Sequence, residues 1–497
     1  MKENVGRPVE RNMAEGRDGD GGGDGDVIFT PLRFRNLTIK NRVLRSNLSG
    51  RIDNYDGTGS QARINWEVKF ARGGVGAILS AHAPVHVRGR VLPHYASIDD
   101  DNKIPFWRRV GEAVHRWDCK YILQLSHAGR QQDVAGIENL PYPSLSSTSR
   151  REGFHGYKPK AMTLAEIRET IQLFADGARR AREAGLDGVE LHAANGYLFS
   201  QFLSSAINDR KDDYGGSLEN RARFLLDVIR AVRKEVGRDF FLGVKYSPVD
   251  YHNAVLFWEG KGNTLDEGVQ IGRWAEAAGA DALHISTGDM FPHPRNPPGK
   301  FPLRLAKRTY PAILGEGSYT LRNYIIFHYR SLRRIARFLW ERTKHGVDPE
   351  GINVPEARAV KAAVTIPVLV TGGFQKASLI RRVLTDGSCD AVTIARPLMA
   401  NPDLLQIFAS GKDVPDRPCS YCNRCLINVL EHPLGCYDVK RFDDYDAMIR
   451  EVMSIFQDEA AAAADTLGAP APADPAPELP GPAPTSPRSF PWRPFAS

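Results

Sequence analysis

The stretch that decides the fold runs from Glu190 to Phe224 and reads ELHAANGYLFSQFLSSAINDRKDDYGGSLENRARF. The stretch begins at the end of a short apolar run, which is typical of a buried strand. His192 and Asn195 follow, three residues apart, so on a helical turn they would share a face and offer two N–H donors to one oxygen. Tyr197 adds a weak acid. This set suits a reaction in which a carbonyl oxygen gains negative charge while a neighbouring carbon takes a proton. From spacing alone, the alternative that His192 and Asn195 only satisfy backbone groups at a strand end is equally acceptable.

Eight short apolar runs recur along the chain with helical patterns between them. The predicted strands are Val43–Leu48, Gly76–Ser80, Tyr121–Leu125, Gly188–Leu191, Phe241–Lys245, Ala282–Ile285, Val368–Val370 and Ala391–Ile394. The helical patterns include Leu218–Val236 and Thr163–Ala184, in which Thr163 and Glu166 form a capping signature. This alternation predicts a parallel (β/α)8 TIM barrel of the α/β class. A doubly wound sheet would need a Gly-rich dinucleotide turn after an early strand, and the sequence has none.

A basic insertion, residues 289–353, follows the sixth predicted strand. Residues 291–345 contain 12 Lys/Arg against 2 Asp/Glu, a surplus of +10, so the rest of the chain sums to −3. Within it, Leu321–Arg342 predicts one amphipathic helix. The predicted apolar face contains Ile325, Leu332, Ile335 and Leu339, and the opposite face Arg330, Arg333, Arg334 and Arg337. Because loops after barrel strands open at the catalytic face, we expect the helix over or beside the active site. There its arginines favour anionic ligands, namely a phosphorylated cofactor, a CoA-type substrate or an acidic membrane surface.

Composition limits the other classes of protein. With 42% hydrophobic residues the chain can form a core, and no apolar run reaches the ~18 residues of a membrane span. The absence of a signal pattern predicts a cytoplasmic protein. The local origin of the positive charge gives no reason to expect nucleic-acid binding.

We predict a disordered tail at 1–26, the barrel at 27–412, a cysteine-containing extension with one short helix at 413–458, and a disordered Ala/Pro-rich tail at 459–497.

The segments HAANGYLFSQFL and DDYGGSLENRARF resemble the old yellow enzyme family of flavin-dependent reductases. The resemblance implies FMN as the cofactor and NAD(P)H as the reductant. It also implies that His192 and Asn195 hold a substrate carbonyl and that Tyr197 delivers a proton. The segment Tyr214–Arg221 is interpreted as a structural brace, with two glycines in a turn and Glu219 paired locally with Arg221.

The loops after the last two predicted strands form the expected phosphate site, as is common in barrels of this type. They contain Gly372 and Gly373, whose backbone N–H groups can approach a phosphate, and Ala395 and Arg396, whose guanidinium can neutralise it. The resemblance further implies flavin contacts from Ser49, Ala81, Gln124 and Lys245. Lys245 stands where many family members have Arg, which keeps the cation beside the reduced flavin.

Four cysteines cluster after the barrel in the pattern Cys-x2-Cys-x2-Cys-x10-Cys, at Cys419, Cys422, Cys425 and Cys436. Three closely spaced cysteines and a distant fourth favour a [4Fe–4S] cluster, while zinc and unliganded thiols are the alternatives. The spacing resembles the iron–sulfur branch of the family, which includes trimethylamine dehydrogenase and 2,4-dienoyl-CoA reductase.

Three functions are compatible with these features. The first is an FMN-dependent oxidoreductase that uses NAD(P)H to reduce activated C=C bonds in a small enone or enoyl substrate. The second is an oxidising flavoenzyme, similar to an amine dehydrogenase, that passes electrons through the cluster to an external partner. The third is a non-enzymatic binding module in which a zinc site and the basic insertion contact nucleic acid or a membrane surface. We expect the first, because a His/Asn pair suits a carbonyl better than a cationic amine.

Overall fold

The computed structural model describes residues 25–131, 139, 141–254, 259–315, 317–342 and 348–457. Residues up to Phe456 belong to one compact unit, and a second unit begins at Gln457. The predicted tail at 459–497 lies outside the described residues, as does the predicted N-terminal tail apart from residues 25–26. Within the described ranges, no helix combines the length and apolar composition needed to cross a membrane.

Eight parallel strands close into the predicted barrel. In chain order the strands are β1 (Leu32–Arg33), β2 (Thr38–Ile39), β3 (Val43–Arg45), β4 (Ala77–Pro84), β5 (Lys120–Ser126), β6 (Leu145–Ser146), β7 (Lys160–Ala161), β8 (Gly188–Ala193), β9 (Phe241–Tyr246), β10 (Ala282–Ile285), β11 (Val368–Thr371) and β12 (Ala391–Ile394). The barrel order is β3-β4-β5-β8-β9-β10-β11-β12, and β12 pairs with β3. All eight predicted strands are thus confirmed. β1 and β2 form an antiparallel hairpin, and β6 and β7 form a separate pair.

Helices separate the strands as the sequence predicts. They are α1 (Gln61–Arg72), α2 (Ile104–His115), α3 (Leu164–Glu183), α4 (Leu198–Leu203), α5 (Leu218–Val236), α6 (Leu265–Ala278), α7 (Leu303–Thr309), α8 (Thr320–His328), α9 (Arg330–Arg342), α10 (Val354–Lys361), α11 (Ala377–Thr385), α12 (Arg396–Ala400), α13 (Leu404–Ala409), α14 (Arg424–Asn428) and α15 (Tyr445–Met453). Helix α3 begins with the predicted capping box of Thr163 and Glu166, in which side chains and backbone N–H groups satisfy each other.

The interior of the barrel changes from apolar at its base to polar at its carboxyl end. The hairpin β1–β2 closes the base, where the ring of Phe34 lies 4.9 Å from that of Phe241 within an apolar cluster. Because alternate residues of a strand face the same side, Phe241 and Lys245 project from β9 into the same interior. Further along β8, Glu190 and His192 do likewise, and His192 is in register with Lys245. The site's polar residues therefore rest on an apolar floor.

The insertion differs from the single helix that the sequence predicts. Helix α8 ends at His328, Tyr329 is extended with ψ 134°, and α9 begins at Arg330. The side chain of Arg333 explains part of this break, because its Nη1 donates to the carbonyl oxygen of Phe327 at 2.8 Å. The prediction of one continuous helix over Leu321–Arg342 is therefore wrong, although both halves are helical.

The brace around Arg221 also pairs differently from the prediction. Arg221 does not pair with Glu219. Its Nη2 donates to Glu267 on α6 at 2.8 Å, and its Nε donates to the carbonyl oxygen of Leu203 at 2.9 Å. In place of the predicted local ion pair, a long-range ion pair joins α5 to α6. The hydrogen bond to Leu203 joins α5 to the end of α4. The segment is structural, as predicted, but it connects neighbouring β/α units.

Replacing Gly196 with Ala should lower the melting temperature more than replacing Gly216 with Ala. Both glycines have φ 81°, so both variants share the strain of a positive φ, about 1–2 kcal/mol. A Cβ at Gly196 would lie 2.4 Å from the carbonyl oxygen of Asp289, whereas nothing lies within 4 Å at Gly216. This overpacking typically destabilises the folded state by a further ~1–3 kcal/mol. Equal shifts in thermal unfolding would contradict the close approach of the β8 turn to Asp289.

Candidate active site

A pocket at the carboxyl end of the barrel brings together residues from distant parts of the sequence. The three predicted substrate residues, His192, Asn195 and Tyr197, line it. Four of the predicted cofactor residues line it as well: Ser49, Lys245, Ala395 and Arg396. The pocket is also walled by Phe291 and Asn296 of the insertion and by Cys425 and Leu430 of the C-terminal extension. Long-range folding thus assembles one site from the barrel, the insertion and the extension.

Three aromatic side chains form the centre of the pocket. The ring of His82 lies 4.7 Å from the ring of His192 and 4.7 Å from the ring of Tyr197, and the His192 and Tyr197 rings are 4.9 Å apart. Burial lowers the pKa of His192 well below its usual value, and the positive charge of Lys245 adds to this. Burial likewise lowers the pKa of His82 to about 3. Both imidazoles are therefore neutral at physiological pH, so each has one N–H donor and one acceptor nitrogen.

Asn195 reaches the pocket by a turn that the sequence argument did not foresee. Its φ is 62°, in the left-handed region, so it does not share a helical face with His192, which lies on β8. That premise is wrong. The side-chain Nδ2 of Asn195 donates to the carbonyl oxygen of Thr287 at 3.0 Å and to Ser286 Oγ at 3.2 Å. Both N–H donors of Asn195 are thus engaged, and one must leave Ser286 before it can reach a ligand.

A buried polar network lies beneath the pocket inside the barrel. Gln124 Nε2 donates to Glu190 Oε1 at 2.7 Å. On the other side, His284 Nδ1 lies 2.8 Å from Glu190 Oε2, and His284 Nε2 lies 2.8 Å from Thr393 Oγ1. Burial raises the pKa of Glu190, but His284, Lys245 and Gln124 outweigh it, so that the pKa is lowered overall. Glu190 is therefore an ionised carboxylate within the barrel. Burial lowers the pKa of His284, while the carboxylate of Glu190 opposes the decrease.

Lys245 supplies the positive charge next to this network. Its Nζ donates to Asn47 Oδ1, on the segment that follows β3. Burial lowers the pKa of Lys245 to about 8, while the carboxylate of Glu190 partly opposes the decrease. At neutral pH the side chain is mostly protonated, so a cation faces the pocket between His192 and the carboxyl end of β3.

The predicted phosphate end is partly covered by the C-terminal extension. Arg396 lies in the pocket wall, where its Nη1 donates to Asn423 Oδ1 and its guanidinium lies 5.5 Å from the ring of Tyr421. The Tyr421 hydroxyl donates to the carbonyl oxygen of Gly373. Gly372 and Gly373 have φ of 155° and 71°, and a Cβ at Gly373 would meet a carbonyl oxygen at 2.2 Å. Close packing thus requires a glycine at position 373, and neither glycine is among the described residues that line the pocket.

Two other predicted cofactor residues lie just outside the pocket. Gln124 is fully buried, with Oε1 unpaired among the described residues. The carbonyl oxygen of Ala81 accepts a hydrogen bond from Ser80 Oγ at 2.6 Å. A register shift in β4 between Leu79 and His82 displaces this part of the strand and turns His82 into the pocket.

The four clustered cysteines are not arranged as a metal site. In the part of the chain that the structure describes, no group of three or more His, Cys, Asp or Glu side chains could hold a metal ion. Arg441 Nη1 donates to Cys436 Sγ at 3.2 Å, and Cys425 lies in the pocket wall. As they stand, the described residues do not fit an iron–sulfur cluster, and that assignment stays a prediction from spacing. Cys119 and Cys389 are buried.

The barrel and its pocket define a TIM-barrel protein with a polar site at the carboxyl ends of its strands. The chain belongs to the NADH:flavin oxidoreductase / NADH oxidase family, whose model matches residues 27–293. The model of the dihydrouridine synthases matches residues 335–467. The resemblance stated from the sequence is therefore confirmed at the level of the family.

Individual relatives agree with this assignment. The chain is 32% identical over 429 residues to an NADH oxidase of Thermoanaerobacter brockii, covering 82% of this chain and 57% of that protein. It is 32% identical over 385 residues to an NADPH dehydrogenase of Geobacillus sp. (strain WCH70), covering 76% of this chain and 92% of the relative. A solved 2-naphthoyl-CoA reductase complex superposes with a TM-score of 0.67 at 23% identity, covering 83% and 56% of the two chains, and supports the fold. The chain thus spans little more than half of some of its relatives.

Family membership implies a flavin and a nicotinamide reductant, and the residues in the pocket and directly beside it fit a flavin. Both ring nitrogens of His192 and Oε1 of Gln124 are buried and unpaired among the described residues. Such groups cost free energy unless a ligand satisfies them. Lys245 offers a cation and Ser49 a hydroxyl on the same wall. These donors and acceptors match a planar, polar-edged ring that becomes negatively charged on reduction.

Sequence reasoning missed three residues of the site: His82, Glu190 and His284. Glu190 lies within the opening stretch, two residues before His192, so strand alternation alone places both in the barrel interior. His284 is a lone polar residue in the apolar run of β10, which is a similar signal. No local signal marks His82, because the register shift in β4 decides its direction.

The titration of Lys245 should make the melting temperature of the protein depend on pH. In the cofactor-free protein, the melting temperature of the wild type should rise relative to that of Lys245→Arg between about pH 8 and 10.5, the folded and ordinary pKa values of this lysine. In that window the unfolded chain still binds the proton that the folded lysine has released, so the free energy of unfolding increases with pH. Arginine stays protonated in both states. If scanning calorimetry shows the melting temperatures of the two proteins changing in parallel with pH, burial does not destabilise the charged form of Lys245.

Proposed function

We propose that this protein is an FMN-dependent NAD(P)H oxidoreductase that reduces activated C=C bonds in enones or related enoyl compounds. The observation that carries the proposal is the environment of His192. Its imidazole is neutral and 1% exposed, and neither ring nitrogen has a partner among the described residues. It contacts Tyr197 in a pocket that also contains a cation. An unpaired donor beside a weak acid is the arrangement that a polarised carbonyl requires.

The residues of this chain have separable tasks in such a reaction. His192 donates one N–H to the substrate carbonyl oxygen, where negative charge develops. Asn195 adds a second N–H after it exchanges Ser286 Oγ for the same oxygen, and its bond to Thr287 keeps the amide oriented. Tyr197 protonates the α-carbon. When bound, FMN supplies the hydride that reaches the β-carbon. Lys245 stabilises negative charge that develops on the cofactor side of the pocket.

The outer part of the pocket favours an apolar substrate body. Phe291, Leu426 and Leu430 line this part, and they also line an adjoining cavity that contains Phe301 and Phe327. Apolar walls exclude water from the reacting atoms and bind a hydrophobic substituent. Together with the buried donors they indicate a small molecule that has one polar end and an apolar remainder.

The oxidising alternative, with a cationic amine as substrate, is less compatible with the charges. Lys245 is largely protonated at neutral pH, and none of the described residues that line the pocket is an ionised carboxylate. A cation would be repelled. An external electron acceptor reached through an iron–sulfur cluster also lacks support from the arrangement of the cysteines, so no step of the proposal uses one.

The carbonyl-binding role of His192 can be tested by substitution. His192→Ala should retain FMN but reoxidise it with a cyclic enone about 10²–10³-fold more slowly, the usual effect of losing one oxyanion donor. Asn195→Ala should have a smaller effect, since both of its donors are engaged elsewhere. Stopped-flow absorbance of the flavin measures both, with the exposed His432→Ala as control. Wild-type rates in His192→Ala would reject the carbonyl-binding role.

The proton-donor role of Tyr197 makes a different prediction. Tyr197→Phe removes only the hydroxyl, so the ring contacts with His82 and His192 can remain. The half-reaction with the enone should slow strongly, by about 10²-fold or more. Reduction of FMN by NAD(P)H should change little, because it needs no proton at that carbon. If both half-reactions slow to the same extent, Tyr197 positions the cofactor or the ring cluster and is not the proton donor.

A further inference from the structure

Helix α9 presents an apolar face that nothing in the described part of the chain covers. None of its thirteen residues is buried. Along this face the exposed fractions rise from 37% at Leu332 through 48% at Leu339 and 56% at Ile335 to 64% at Phe338. Tyr329 and Ile325 extend the face towards α8, at 58% and 41%. A contiguous apolar surface of this kind marks a binding surface in a folded protein.

The opposite edge of α9 fixes the helix to the body of the protein. The ring of Trp340 lies 4.9 Å from the ring of Phe301, and Arg333 Nη1 donates to the carbonyl oxygen of Phe327 at 2.8 Å. These contacts hold the helix by one side. Because 3.6 residues complete a turn, Leu332, Ile335 and Leu339 then lie on the side of the helix that faces away from the body.

The charge on α9 decides which occupant suits this face. The sequence RSLRRIARFLWER contains five arginines and one glutamate, a surplus of +4. Arg330, Arg334 and Arg337 are exposed and form no ion pair or hydrogen bond within the described ranges. A second copy that used the same face would bring two +4 helices together, which is unfavourable. An anionic bilayer offers acyl chains for the apolar face and phosphates for the arginines at its edge.

We propose that α9 is an interfacial helix that docks this protein on an anionic phospholipid surface. Leu332, Ile335, Phe338 and Leu339 enter the boundary between headgroups and acyl chains, and Arg330, Arg334 and Arg337 contact lipid phosphates. The helix does not span the bilayer. Phe301 contacts Trp340 of α9 and also lines the apolar cavity next to the main pocket. Docking through α9 therefore places that cavity close to the lipid surface.

Vesicle co-sedimentation of the flavin-loaded protein tests the proposal. Wild type should bind phosphatidylglycerol-containing vesicles, bind pure phosphatidylcholine vesicles at least tenfold more weakly, and be released by salt. Arg334→Gln/Arg337→Gln should weaken binding about 25-fold, since each arginine near an anionic surface contributes about fivefold. The matched control is Arg33→Gln/Arg168→Gln, two exposed arginines outside the insertion that should leave binding unchanged.

A second pair of variants tests the apolar contact. Phe338→Ser/Leu339→Ser should lose binding at least tenfold, whereas Leu164→Ser/Val414→Ser, with side chains 44% and 39% exposed elsewhere, should not. Flavin content and circular dichroism report whether each variant folds. Failure of the wild type to bind anionic vesicles overturns the proposal, as does equal binding by all variants. Sedimentation velocity tests whether a second copy of the chain covers the face instead. If the wild type is a dimer, Phe338→Ser/Leu339→Ser is a monomer and neither binds vesicles, the face belongs to a second copy.

Discussion

The ionised carboxylate of Glu190 inside the barrel is the constraint on which the site depends. A charge buried in a protein is tolerated only when hydrogen bonds and an opposite charge compensate it. Gln124 and His284 provide the hydrogen bonds, and Lys245 provides the charge. These partners come from β5, β10 and β9, so satisfying one carboxylate fixes the relative positions of four strands. The same requirement holds Lys245 in the pocket wall in spite of its lowered pKa.

The apolar base and the polar upper layer of the barrel divide the work between stability and chemistry. The hairpin β1–β2 and the Phe34–Phe241 contact close the base with buried apolar side chains. Above the Glu190 layer, His82, His192 and Tyr197 contact one another as neutral rings in a pocket walled on its outer side by the insertion and the extension. Low polarity around these groups strengthens each hydrogen bond that a bound carbonyl would receive. Their chemical role therefore depends on segments far away in sequence.

Periodicity was sufficient to predict the barrel, since each of its eight strands is an apolar run and α3 and α5 have clear boundary residues. It could not predict turns decided by backbone conformation. Asn195 reaches the pocket through a left-handed residue, and His82 through a shifted register in β4. Arg221 pairs with Glu267 and not with its neighbour Glu219, because tertiary packing outweighed proximity in sequence. The pattern of α9 indicated two faces and anionic ligands, but only packing shows that its apolar face is uncovered within the described part of the chain.

Family membership and the neutral imidazole of His192, which is unpaired among the described residues, support our proposal that a hydride and a proton are added across an activated C=C bond in this pocket. The most direct measurement mixes the photoreduced holoprotein anaerobically with 2-cyclohexenone and follows both the flavin absorbance and the organic product. We predict that the flavin returns to its oxidised spectrum and that one equivalent of cyclohexanone appears per flavin. A flavin that stays reduced until oxygen enters, with the enone recovered unchanged, would contradict the account.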